Sequence, residues 1–418
     1  MEVFPQWIII LIVVILLAKI LALLARRFDL PSISIQLLAG ILLGPSVLNV
    51  LGVPMVLGTW GSPTSGPLHG ALKILAEIGL IQLMFLAGLE ADWRGLKKVI
   101  KISFSIGVWE FGLTAAGVAI LTRLFVDRWS EALAASAIVS ASSFGISIYY
   151  FSEIKILGSR AAAMVSGAAI SSSLLAILLM IASQATNYAA VHGAFKMSIA
   201  VLWFLAKLIM FFAIVYFLTS RFLRLASKSG FLKRPRQMLI GYLLLVASLY
   251  AWASMHFGSF AAAGVASLGG GILGASNLEV KEKMDRVFES LLASIPVGFL
   301  LMVMGMEVNL KAAEGSSLFL GLLLMVTICT KLIGCWIATR GYPSPSDRVL
   351  ITFGVLAQGE MGILIAAYLF SRGVLNPQLF SITILVAVGL TMVFPILMRR
   401  ASTQLNRKEL KGAVSFKH

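Results

Sequence analysis

The chain has 418 residues, of which 59% are apolar and only 12% charged, with a mean hydropathy of +0.96. Soluble domains carry about 25% charged residues, so a soluble globular protein is excluded. The net charge of +16 is that of a chain set against lipid, and nothing in its pattern suggests nucleic-acid binding.

A bilayer core about 30 Å thick needs about 20 apolar residues per helical crossing. Cutting the apolar runs at Pro, Gly and charge clusters predicts an all-α polytopic membrane protein of about 13 transmembrane helices. The spans lie near 7–24, 32–50, 71–89, 98–124, 132–152, 160–184, 195–218, 237–256, 259–277, 286–306, 316–337, 348–371 and 378–398. The first runs into Arg26 and Arg27 without a small-residue cleavage site, which argues against a removed signal peptide. The third ends in Phe85-Leu-Ala-Gly-Leu-Glu-Ala-Asp92, and the fourth carries Glu110 at its centre. The fifth contains Ser140-Ala-Ser-Ser-Phe-Gly-Ile-Ser147, and the sixth Gly167-Ala-Ala-Ile-Ser-Ser-Ser173 with no carboxylate between 160 and 184. Lys331 sits in the eleventh, with Cys329 and Cys335, whose spacing implies neither a disulfide framework nor a metal site. The twelfth holds Ala357-Gln-Gly-Glu-Met-Gly362.

Lys and Arg near span ends stay on the cytoplasmic side. With the N-terminus outside, the cytoplasmic segments hold 25 of the 34 Lys+Arg, the outer segments hold five (Arg123, Arg128, Lys196, Lys311 and Arg372), and Lys19, Lys73, Lys207 and Lys331 fall within spans. The expectation is a multi-pass inner (plasma) membrane protein with a cytoplasmic C-terminus. Residues 399–418 form a short basic tail, with no nucleotide-binding domain expected after the last span.

Two segments read alike at a distance: Phe85–Asp92 matches Met302-Val-Met-Gly-Met-Glu-Val-Asn309, and Ala39-Gly-Ile-Leu-Leu-Gly44 matches Gly270-Gly-Ile-Leu-Gly274. The third span ends inside and the tenth outside, so the copies are inverted. This predicts inverted six-helix repeats over about 7–184 and 237–398, joined by a linker helix at 195–218, within one transporter unit over 1–398. Such repeats house midplane sites on broken helices; chance recurrence of short Gly/Leu/Ala strings is the alternative. The repeat pairs the fifth span with the twelfth, and their polar, Gly-rich stretches predict two crossed breaks. Freed backbone groups are tolerated at that depth only where they line a cavity.

With those segments in view, the chain resembles the monovalent cation:proton antiporter-2 family, the bacterial sodium/proton and potassium/proton exchangers. The motifs are Leu30-Pro followed by Leu37-Leu-Ala-Gly-Ile-Leu-Leu-Gly-Pro45, Leu75-Ala-Glu-Ile-Gly79, Phe85-Leu-Ala-Gly-Leu-Glu90, Gly167-Ala-Ala169, Thr330-Lys-Leu-Ile-Gly334 and Gly359-Glu-Met-Gly-Ile363. The resemblance implies panel and core domains, homodimers and an elevator-like movement of the core. It also implies an Asp-Asp or Asn-Asp pair in the sixth span, one of whose aspartates binds cation and proton in turn. This chain has Ser172 and Ser173 there, and Gln358 where the family tends to carry arginine.

Exchange needs a group that holds either a cation or a proton, and a carboxylate in a suitable environment does so. Serine hydroxyls offer oxygen to Na⁺ or K⁺ but do not bind a proton competitively. The expected ion pathway therefore comprises Ser142, Ser143, Ser172, Ser173, Gln358 and Glu360, with Glu110 and Lys331 as proton-coupling candidates. Charges at such depth are functional candidates by default. Glu110 as a mere structural partner of Lys331, or of freed carbonyls, is the plain alternative, and Glu360 reads more readily as structural. Lys19 and Lys207 read as snorkelling side chains.

The leading function is a proton-coupled Na⁺ or K⁺ antiporter with a rebuilt ion site. An anion or organic-acid transporter and a non-transporting subunit or sensor remain as alternatives. No enzyme chemistry is expected, because His69, His192, His256 and His418 form no metal or triad pattern. No cofactor is called for.

Overall fold

The computed structural model describes residues 6–27, 32–50, 93–156, 158–192, 295–306, 315–342 and 345–415, with shorter pieces within 70–75, 202–221 and 308–311. All regular structure among these is helical. The helices are α1 (Gln6–Arg27), α2 (Ser32–Leu43), α3 (Trp93–Phe125), α4 (Trp129–Ser140), α5 (Phe144–Glu153), α6 (Arg160–His192), α7 (Ile295–Met306), α8 (Ser317–Ala338), α9 (Pro345–Gly354), α10 (Glu360–Ser371) and α11 (Pro377–Ser415). Five segments, 98–125, 129–153, 160–187, 317–338 and 377–400, are long and apolar enough to cross a bilayer. They correspond to the predicted spans four, five, six, eleven and thirteen. The predicted spans three, seven, eight and nine lie largely outside the described residues. So do the Phe85–Asp92 and Gly270–Gly274 copies of the repeat.

Two spans are interrupted. The first runs through α4, an extended Ala141-Ser142-Ser143 stretch and α5; the second runs through α9, Val355–Gly359 and α10. Ser143 caps α5 by accepting from the Ile146 amide at 3.0 Å, the usual device for satisfying a helix's first free N–H groups. Gly359 precedes α10 at φ 146°, a conformation that only glycine adopts without strain. The breaks touch: the Ser143 amide donates to the Ala357 carbonyl at 2.8 Å. Unwound backbone in a membrane must be enclosed. Accordingly, 94% of the apolar window of 129–153 is buried within the protein, against 33% for α8.

Close helix crossings hold the breaks in place. A side chain at Gly107 or Gly167 would collide across the α3–α6 contact, with Ala168 O in the first case and Ser103 in the second. At the α3–α8 contact, a Cβ on Gly334 would lie 2.6 Å from Glu110 Cα. Gly40 and Gly305 are likewise apposed between α2 and α7. Small residues at such points let backbones approach, which is how membrane helices gain packing without a hydrophobic drive. Pro395 interrupts the ladder of α11 and loosens its carbonyls. Ser34 donates to Met392 O and Tyr150 to Pro395 O, each at 2.6 Å.

Candidate functional site

The functional candidates converge where α3, α6 and α8 meet the two breaks. Glu110 of α3 and Lys331 of α8 are both 0% exposed, and Lys331 Nζ lies 2.7 Å from Glu110 Oε2. The ammonium also donates to Ser142 Oγ at 2.8 Å and to the Ser140 carbonyl at 3.1 Å. Its three protons are therefore all used. Ser142 Oγ stands 2.7 Å from Glu110 Oε1 and 3.1 Å from Val355 O, and its single proton serves one of them at a time. One hydroxyl thus joins the buried ion pair to the second break.

The serines of α6 meet the same segment. The Ser142 amide donates to Ser172 Oγ at 3.3 Å, and Ser173 Oγ donates to the Ser142 carbonyl at 3.2 Å. Together they satisfy both backbone groups of a residue that has left its helix. Ser172 also interacts with the Glu110 carboxylate. The sequence expectation for Ser142, Ser172, Ser173, Glu110 and Lys331 is one site, and the structure brings these five together.

The other residues stand apart from the ion pair in different ways. Ser143 uses its hydroxyl to cap α5. Gln358 is fully buried in the second break, where Nε2 donates to the Val139 carbonyl and its backbone carbonyl accepts from Thr391 Oγ1. Glu360 opens α10, but its side chain lies outside the described residues. Three participants were missed. Ser140 contributes a carbonyl to Lys331, Val139 a carbonyl to Gln358, and Thr391 a hydroxyl from α11. Backbone acceptors have no side-chain signature, although Ser140, the last residue before a break, is where a freed carbonyl would be sought.

Burying two charges carries a desolvation cost that their attraction often fails to recover, so such a pair is poorly explained by stability alone. The arrangement has the parts of a cation seat: a carboxylate, several neutral oxygens and an internal ammonium already occupying it. Displacing that ammonium frees one carboxylate oxygen, the Ser142 hydroxyl and the Ser140 carbonyl together.

Comparison with known proteins gives a consistent result. A family described as sodium/hydrogen exchanger, transmembrane, matches residues 12–400. A probable Na⁺/H⁺ antiporter, GerT of Bacillus cereus, is 23% identical over 398 residues, covering 93% of this chain and 98% of its own. An Na⁺/H⁺ antiporter of Enterococcus hirae is 24% identical over 380 residues, covering 90% and 92%. The solved structure of the sodium proton antiporter MjNhaP1 from Methanocaldococcus jannaschii at pH 8 superposes with a TM-score of 0.68 at 16% identity. It covers 95% of this chain and 96% of that one, which shows the fold.

Proposed function

The chain belongs to the transmembrane sodium/hydrogen exchanger family, and from that premise we propose that it exchanges Na⁺ or K⁺ for protons through a site in which Glu110 replaces the sixth-span aspartate. It is a multi-pass membrane protein of a family of ion transporters. The observation that carries the proposal is the Glu110 carboxylate, held 2.7 Å from both Lys331 and Ser142 at the crossing of the breaks. Ser172 and Ser173 occupy the positions where the resemblance expects the aspartates, and their hydroxyls reach the same stretch of backbone.

In this mechanism ionised Glu110 accepts either Lys331 or an incoming cation. The cation displaces the ammonium and takes oxygens from Glu110 and Ser142, with the Ser140 carbonyl released to it. A proton arriving from the opposite side neutralises Glu110 and weakens its hold on the cation, which leaves. The hydroxyls of Ser172 and Ser173 do not bind a proton in competition with a cation; they keep the unwound Ser142 backbone satisfied while its side chain changes partner.

The same reading takes the chain as an antiporter-2 type exchanger with 13 helices in inverted repeats over 7–184 and 237–398. It also takes the protein to be a homodimer, with its N-terminus outside and its C-terminus in the cytoplasm. The anion-transport alternative needs an uncompensated positive charge in the core, and pairing Lys331 with Glu110 removes it.

The test is exchange in proteoliposomes under an imposed pH gradient. Wild type takes up Na⁺ or K⁺, and Glu110→Gln loses at least ten-fold of that flux. Retained pH-driven exchange in Glu110→Gln refutes the assignment. Uptake of labelled anions, indifferent to Na⁺ and K⁺, would establish the transporter of the other charge sign. Absence of both fluxes, with a stable partner on pull-down, would favour a non-transporting subunit or sensor.

A further inference from the structure

Five buried side-chain atoms have no hydrogen-bond partner among the described residues: Gln36 Oε1, Ser103 Oγ, Thr122 Oγ1, Ser140 Oγ and Gln358 Oε1. Three are distributed over α2 and α3. The other two belong to the breaks, one where α4 ends and one just before α10 begins. Buried polar atoms are almost always satisfied, and an unpartnered one at a built site calls for an unseen partner.

Ser140 is unusual beside its neighbours. Buried hydroxyls in these helices turn back onto the carbonyl four residues earlier: Ser136 onto Ala132 at 2.8 Å, Ser166 onto Ala162 at 2.7 Å, and Thr327 onto Leu323 at 2.6 Å. That local bond is the default for a helical hydroxyl. Ser140 has the same option toward Ser136 and does not take it. Its carbonyl meanwhile accepts from Lys331 at 3.1 Å. It also closes the C-terminal end of α4, where the unpaired carbonyls concentrate negative potential.

Gln358 has its orientation fixed by chemistry. Nε2 donates to the Val139 carbonyl; turning the amide over would set oxygen against oxygen. Its Oε1 is therefore committed as an acceptor, on a side chain anchored one residue from Ser140. Two fully buried oxygens without a partner thus belong to the residue whose carbonyl the Lys331 ammonium now holds and to a side chain bonded to the residue before it. Both can act as acceptors, so a small cation that took the ammonium's place on the Ser140 carbonyl would supply a partner to each.

We infer that Gln358 Oε1 and Ser140 Oγ are neutral ligands for the transported alkali cation, completing a seat whose charged member is Glu110. The cation replaces the Lys331 ammonium on the Ser140 carbonyl and gains the two oxygens that the ammonium does not reach. This builds on the reading of the site as a cation site, and it is independent of which group carries the proton.

Binding is read on the purified protein by thermal unfolding in NaCl, KCl or LiCl against choline chloride at constant ionic strength, since a ligand specific for the native state raises Tm. Wild type is stabilised by at least one of the three cations. Ser140→Ala raises the half-saturating concentration at least ten-fold while melting like wild type in choline, and Gln358→Met does the same from a lower baseline, because it also gives up the bond to the Val139 carbonyl. Ser140→Thr, which keeps the hydroxyl, retains the response. Thr122→Val, which removes an equally unpartnered hydroxyl far from the breaks, leaves it unchanged. Should Gln358→Met not fold, the Ser140→Ala and Ser140→Thr pair decides. Unaltered half-saturation in Ser140→Ala and Gln358→Met overturns the inference, as does an absent wild-type response. Glu110→Gln that still exchanges with pH, beside a weakened Gln358→Met, would overturn the coupling role and leave these ligands standing.

Discussion

At the scale of single residues, Lys331 is held beside Glu110 by an ammonium whose three protons are all used, on Glu110, Ser142 and the Ser140 carbonyl. Removing one partner from a buried pair leaves the other charge uncompensated, at a cost of about 3–5 kcal/mol. Lys331→Ala is therefore expected to lower stability by that amount, read as denaturant or thermal unfolding in detergent. The double variant Glu110→Leu/Lys331→Met removes both charges and is expected to match or exceed wild-type stability, since apolar replacement of such pairs is often neutral or favourable. The same double variant is expected to show no pH-driven cation flux. Exchange surviving in it would show that the pair serves packing and not transport. The pair was legible in the sequence because charges at membrane depth stand out against an apolar background. The Ser140 and Val139 carbonyls were not, since every residue offers the same acceptor. Thr391 lies 33 residues from Gln358, with nothing local to link them.

At the scale of elements, the site depends on how closely α3 and α8 approach. A Cβ at Gly334 would meet Glu110 Cα at 2.6 Å and Trp109 O at 2.7 Å. These are backbone atoms, which cannot swing aside as a flexible side chain would. Gly334→Ala must then separate the two helices beside Lys331. Overpacking of this kind costs about 1–3 kcal/mol, and cation flux is expected to fall at least ten-fold from the misplaced carboxylate. Gly321→Ala on the same helix meets nothing within 4 Å and is expected to leave flux and stability at or above wild type. Equal damage from both would remove the crossing from the account. Both breaks were legible from serine and glycine where a lipid-facing helix would carry leucine. Helix ends were less so. Apolarity marks where a helix leaves the membrane, not where it stops, so α3 begins at Trp93, ahead of the predicted span. For the same reason α11 continues to Ser415, through residues read as a tail.

At the scale of the whole molecule, the distribution of charge carries an expectation of which way the bundle faces. α3 has 33 residues, about 50 Å at 1.5 Å per residue, so its two ends lie beyond opposite faces of a core about 30 Å thick. Lys98 and Lys101 stand exposed near its start, and half-buried Arg123 lies beside fully exposed Asp127 near its end. The other basic clusters fall on the face of Lys98 if the chain starts outside, since 25 of 34 Lys+Arg are then cytoplasmic. Asp127 should accordingly face outward, and Gly341, exposed just after α8, inward. The two cysteines simplify the measurement: Cys335 is buried, and Cys329, which is exposed, is replaced by serine. In intact cells a membrane-impermeant maleimide is expected to label Asp127→Cys at once, and Gly341→Cys only after permeabilisation. The reverse pattern would invert the molecule and move the basic clusters outside. Labelling of both from one side would break the alternation between α3 and α8, and with it the inverted repeat.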